Sequence, residues 1–218
     1  MTTPEAVSTK RPTNYLVEHV HRIIAAKIIP LIAKTSLTPN SITYLNVLHS
    51  FVLYWCLWHK IYIAVAILIQ LYYFFDVLDG QLARYKNMTS SLGKYLDIVG
   101  DIIFYVSFYV ILALKMGNSM YCIILYLVAY HLYGVITTFY IVPAIRNFKT
   151  FERRGIKKQF LDKGILFGMD NSTQNTVVTF LILTPIANLI LYIISSMYLI
   201  DLIYRLTELS WNKRIASV

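Results

Sequence analysis

The sequence predicts an all-α integral membrane protein: six transmembrane helices preceded by an N-terminal interfacial amphipathic helix. Two observations predict it. Hydrophobic residues make up 57% of the 218 positions against 14% charged, and a mean hydropathy of +0.58 lies outside the soluble range. When six spans are drawn, 18 of the 20 Lys and Arg residues fall on one side of the membrane and only Lys60 and Lys115 on the other. That asymmetry places both termini in the cytoplasm.

Residues 1–13, with Pro4 and Pro12, read as a mobile tail. No apolar core with a small-residue cleavage site follows, so the first span is expected to direct insertion itself. Residues 15–34 alternate Val17, Val20, Ile23, Ile24, Ile28 and Ile29 with Glu18, His19, His21, Arg22 and Lys27. This amphipathic run carries too many charges to span and is expected in the interface plane, with Pro30 bending it. Residues 1–36 thus form a tail and juxtamembrane helix, and residues 37–218 a six-helix membrane domain. A turn over residues 37–43 prepares the first span through Pro39, with Asn40 or Ser41 as N-cap.

Spans are expected over residues 42–58, 61–84, 92–114, 120–143, 175–183 and 189–206. Trp55 and Trp58 suit a helix end at the interface, and the fifth span is short enough that it should begin before Gln174. The basic connection 146–163 is expected to contact lipid headgroups. The net charge of +9 needs no nucleic acid, because the cations sit between spans rather than along one soluble face. Cys56 and Cys122 each stand in an apolar run without a second ligand at metal spacing, which argues against a disulfide framework or a zinc site.

Residues 76–101 break the apolar pattern. Four of the eleven acidic residues, Asp76, Asp79, Asp97 and Asp101, fall there. A charged side chain within a spanning helix costs about 2.5–3.5 kcal/mol, so a partner is expected. Asp76, Asp79, Gly80 and Ala83 share one helical face, and Gly93, Asp97 and Asp101 share a face of the next helix. The polar link 85–92 should make the two helices antiparallel neighbours with converging carboxylates. Four anions that close repel unless cations lie between them, and all-carboxylate ligation suits magnesium, manganese or calcium. Small residues at Gly80 and Gly93 would admit a flat group, and Arg84 offers a planar fork for phosphate oxygens. Together these features read as a diphosphate site in which two metals could bridge the phosphates.

The pattern Asp-x2-Asp-Gly-x2-Ala-Arg-x8-Gly-x3-Asp-x3-Asp, met by Asp76, Asp79, Gly80, Ala83, Arg84, Gly93, Asp97 and Asp101, resembles the signature of the CDP-alcohol phosphotransferases. The six-span layout, the leading helix and Thr38-Pro39-Asn40 are similar to that family as well. The resemblance implies transfer of a substituted phosphate from a CDP-linked donor to an alcohol, releasing CMP. It further implies a binuclear Mg2+ or Mn2+ site on Asp76, Asp79, Asp97 and Asp101, with Asp101 as general base, and a homodimer. Gly80, Ala83, Arg84 and Gly93, with Asn40 and Thr43, would contact the CDP moiety. Lys157, Lys158 and Arg205 are candidate contacts to the acceptor or to headgroups, although Asp201, four residues before Arg205, could simply pair with it. CDP-diacylglycerol is the favoured donor. A CDP-linked choline or ethanolamine reacting with diacylglycerol is the alternative, and a divalent-cation transporter is the alternative of another class. Aspartates paired with Arg84 or Lys86 for structure alone would be the plainest explanation, but two bases do not neutralise four acids.

Overall fold

Polar caps and apolar periodicity set the element boundaries in the computed structural model, which describes residues 14–148 and 151–216. The expected tail over 1–13 and the loop cation Lys149 lie outside the described residues. Helix α1 covers Leu16–Ile32, with Pro30 inside it. Helix α2, Pro39–Trp58, starts earlier than its sequence suggests. Its N-cap is Thr38, whose Oγ1 accepts the Ser41 N–H at 3.2 Å. Asn40 and Ser41 are therefore helical residues rather than caps, because Pro39 at the first helical position has the fixed φ that a helix start uses.

Helices α3 (Tyr62–Tyr85) and α4 (Ser91–Met116) follow. Ser90 caps α4 by accepting the Gly93 N–H, and Gly117 ends it at φ 71 in the left-handed region open to glycine. Helix α5 (Met120–Ile136) runs without a break through a π-helical segment, Thr137–Ile141, into α6 (Val142–Arg146). The fourth helix was expected to stop at Pro143. Instead the widened turn absorbs a proline that would clash with the carbonyl four residues before it. Short α7 (Gly155–Leu161) interrupts the basic connection, and α8 (Asn171–Leu181) begins before Gln174, as expected from the shortness of the fifth span. Helix α9 (Ile190–Ala216) runs ten residues past the expected end at 206. Strands β1 (Asn14–Tyr15) and β2 (Ile165–Leu166) form a two-residue parallel pair in an otherwise helical chain.

Four helical stretches among the described residues are long and apolar enough to cross a membrane: Tyr62–Tyr85, Asp97–Met116, Met120–Arg146 and Ala187–Ile215. The other two expected spans, α2 and α8, form as helices but are not among them. Helix α2 carries Asn40, Asn46, His49 and Ser50, and α8 has only 11 residues.

Lipid tails are as apolar as leucine, so burial alone does not drive helices together inside a bilayer; close packing and interhelical hydrogen bonds do. Helices α2 and α3 are stitched by Asn46 Nδ2 donating to the Tyr72 carbonyl at 3.1 Å and by His49 Nε2, 2.8 Å from the Leu68 carbonyl. A carbonyl only accepts, so the His49 proton sits on Nε2. Gln70 Nε2 donates to Thr179 Oγ1 at 2.7 Å and ties α3 to α8. The main core joins Leu53, Ile69, Phe108, Tyr109, Tyr126, Ile194 and Tyr198. A second cluster sets Ala25 and Ile29 of α1 against Val77, Leu78 and Leu82 of α3. Removing the α2 cap with Thr38→Ala should destabilise the protein by about 1 kcal/mol, read as a lower unfolding temperature in detergent.

Candidate active site

Helix α2 packs against both α3 and α4, and the space left between α3 and α4 is a cavity of about 390 Å3 lined by Thr43, Asp76, Asp79, Asp97 and Asp101. Asp101 lies within electrostatic range of Asp76, Asp97 and Asp79. The four carboxylates thus share one space, as their spacing requires. They do not converge into one ligand set, however: among the described residues no three His, Cys, Asp or Glu side chains are gathered tightly enough to hold one ion. Helices α3 and α4 meet directly through Tyr72 and Phe104, as the short link predicts, and α2 packs against both. The chemistry of the donors, all carboxylate oxygen, still fits a hard divalent cation.

Each acid has a distinct setting. Asp79 is buried and accepts from Thr43 Oγ1 at 2.9 Å. Asp97 is exposed and Asp76 half-buried. Asp101 accepts from Asn171 Nδ2 at 3.3 Å, and the Tyr72 hydroxyl is within hydrogen-bonding range. Tyr72 is itself held face to face on Phe104, with ring centroids 3.4 Å apart. Lys86 does not serve these acids, because its Nζ donates to the Thr35 and Leu37 carbonyls at 3.1 and 2.7 Å and ties down the α1–α2 link.

A second cavity, about 580 Å3, shares Thr43, Asp79 and Asp97 with the first and adds Asn40, Gly80, Ala83, Arg84 and Gly93. All six residues nominated for a nucleotide are therefore brought to one wall. The Arg84 guanidinium folds back over Gly80, where an added Cβ would lie 3.7 Å from Nη1. At Gly93 an added Cβ would come within 3.0 Å of the capping Ser90 Oγ, so glycine also protects the start of α4.

Two residues near the acids were not singled out from the sequence. Glu18, paired with Arg22 at 2.6 Å, lines a third cavity of about 710 Å3 together with Asp76, Asp170 and Asn171. The i, i+4 spacing of Glu18 and Arg22 was visible, but nothing local says that α1 turns this pair toward Asp76. Asn171 lies in a polar run before α8 that carries no spacing rule. Its neighbour Asp170 caps α8 by accepting the Thr173 N–H at 2.9 Å, and burial pushes the Asp170 carboxyl up while the Ser172 and Thr173 donors oppose the rise.

The cations group elsewhere. Arg146, Arg153, Lys157 and Arg205 line a separate cavity of about 370 Å3, and Thr137 borders both this cavity and the one containing Asp76. Lys157 is buried, against the expectation of a headgroup-contacting loop, whereas Lys158 is exposed and does not line this cavity. Arg205 both pairs with Asp201 at 2.8 Å and faces the cavity. Gly168 lies against this pair: an added Cβ would meet Arg205 Nη2 at 2.9 Å and the Asp201 carboxylate at 3.1 Å. Gly168→Ala should therefore destabilise by about 1–3 kcal/mol. Gly134→Ala, with nothing within 4 Å of the added carbon, should not, and thermal unfolding of the two variants compares them.

The model of one protein family, CDP-alcohol phosphatidyltransferase, matches residues 36–211. None of the curated proteins compared with the chain matches it significantly. The family match takes in α2, both acid-bearing helices, the cationic connection and most of α9. The chain therefore belongs to the CDP-alcohol phosphatidyltransferase family, whose members are transferases that pass a phosphate group from a CDP-alcohol to an acceptor.

Proposed function

We propose that this enzyme makes a phospholipid by moving a phosphatidyl group from CDP-diacylglycerol to the hydroxyl of an anionic alcohol, releasing CMP. The observation that carries this reading is the sharing of Asp79 and Asp97 between the nucleotide-sized cavity and the carboxylate cavity. A diphosphate bound through its nucleotide at Gly80, Ala83, Arg84 and Gly93 would present its phosphorus atoms to the aspartates. The cationic cavity across Thr137 supports an acceptor that carries negative charge. The protein would act as a homodimer with six spans, its site and both termini facing the cytoplasm.

Each residue then has a task. Arg84 holds phosphate oxygens with its planar fork, and Gly80 leaves room for the guanidinium to lie close. Asp101 takes the proton of the acceptor hydroxyl as the new oxygen–phosphorus bond forms and the bond from phosphorus to the CMP oxygen breaks. Asn171 and Tyr72 steady the Asp101 carboxylate. Asp76, Asp79, Asp97 and Asp101 would hold two Mg2+ or Mn2+ ions, which when bound neutralise charge on the phosphates and the leaving group.

A CMP-release assay of purified protein, across CDP donors and a panel of alcohols, tests the function. CMP release with CDP-diacylglycerol and a phosphorylated alcohol is expected; release only with CDP-choline or CDP-ethanolamine and diacylglycerol would reverse the donor assignment. Asp101→Asn should lower turnover at least about 100-fold while leaving donor affinity nearly intact, and retained turnover would remove Asp101 from the base role. Chelation should abolish release and added Mg2+ or Mn2+ should restore it; full activity in chelator would exclude the metal requirement.

A further inference from the structure

We propose that Asp201 and Glu208 are positioning residues that hold the cations of the 370 Å3 cavity in place to receive a doubly charged anion such as a phosphate monoester, an inference that rests on the anionic-acceptor reading above. Residues 201, 205 and 208 fall at i, i+4 and i+7 on α9 and so share one face. Asp201 is 8% exposed and Glu208 5%, and neither is spent on solvent.

Asp201 accepts from Lys157 Nζ at 2.5 Å through Oδ1. Through Oδ2 it accepts from Arg205 Nε at 2.8 Å, the Tyr133 hydroxyl at 2.7 Å and the Met169 N–H at 3.3 Å. Glu208 accepts from Arg153 Nη1 at 2.6 Å through Oε2 and from the Arg154 N–H at 3.0 Å through Oε1. The same stretch of α9 fastens the incoming loop: Asn212 exchanges hydrogen bonds with the Glu152 backbone at 2.9 and 3.0 Å, and Tyr204 donates to the Arg154 carbonyl at 2.6 Å. Three cations from two distant chain segments are thereby fixed on one wall from behind.

Charge sets what the cavity takes. Four cations line it and two carboxylates are engaged with them, so the excess is positive and matches a dianion. The carboxylates also keep the cations charged. Burial pushes the Lys157 ammonium below its ordinary value, and Asp201 opposes that fall. Truncating one partner of a buried pair disturbs the cation left behind more than it adds net attraction.

The test uses the full-length protein in detergent, inorganic phosphate as probe, and the variants Asp201→Asn and Glu208→Gln. Phosphate should bind the wild type and compete with the acceptor. Each variant should weaken phosphate binding and raise the acceptor KM by roughly tenfold or more, with donor KM and kcat near wild type. A purely structural role would raise donor KM and lower kcat and folding together and would overturn the proposal, as would phosphate binding unchanged in both variants. If Asp201→Asn does not fold, Glu208→Gln decides alone. A wild type that releases CMP yet does not bind phosphate overturns both the acceptor reading and this inference. A wild type that binds phosphate but turns over no CDP donor refutes the function while leaving the variant comparison to judge the positioning role.

Discussion

Carboxylates placed between apolar helices have to be stabilised by something, and in this chain two groups of acids meet that requirement in different ways. On α9 the compensation is internal: Asp201 pairs with buried Lys157 and Arg205, and Glu208 with half-buried Arg153, through short hydrogen bonds. On α3 and α4 the side-chain partners are mostly neutral, Thr43, Asn171 and Tyr72, and they orient the carboxylates without discharging them. That contrast separates acids that hold the framework from acids that line the open cavities, to which the proposed function assigns the substrate.

The helices are arranged to keep the second group open. Helix α2 packs on both acid-bearing helices, and its buried Asn46 and half-buried His49 bond to α3 carbonyls rather than to acids. The cavities on either side of Asp79 and Asp97 follow from this placement. Aromatic rings complete the walls: Tyr72 and Phe104 lie in contact between α3 and α4, and Tyr105, Tyr109, Tyr126 and Tyr198 continue the stack into the core.

How much of this could be seen in the sequence depends on whether the relevant geometry is local. Asp76, Asp79, Gly80, Ala83 and Arg84 share a face because α3 is a regular helix, and that required only counting residues. The gathering of Asn40 and Thr43 with them was legible through the resemblance to a family, not through spacing. Glu18 and Asn171 were missed because their role depends on where α1 and α8 dock, which no neighbouring residue encodes. The burial of Lys157 was hidden for the same reason: a lysine in a basic loop looks solvated until Asp201, 44 positions away, is placed beside it. The cap of α2, Thr38, lies two residues before Asn40 and three before Ser41; all three are competent caps and only the backbone of Pro39 decides among them.

The π-helical segment Thr137–Ile141 has a further geometric meaning. A π turn is equivalent to one residue inserted into an α-helix, so everything after it is rotated by about 100° relative to an uninterrupted helix. Arg146 lies beyond that turn and lines the cationic cavity. The direction in which this arginine points is thus set by the length of the helix before it. Deleting a single residue upstream would aim the same side chain at a different neighbour without changing the chemistry of any group in the cavity.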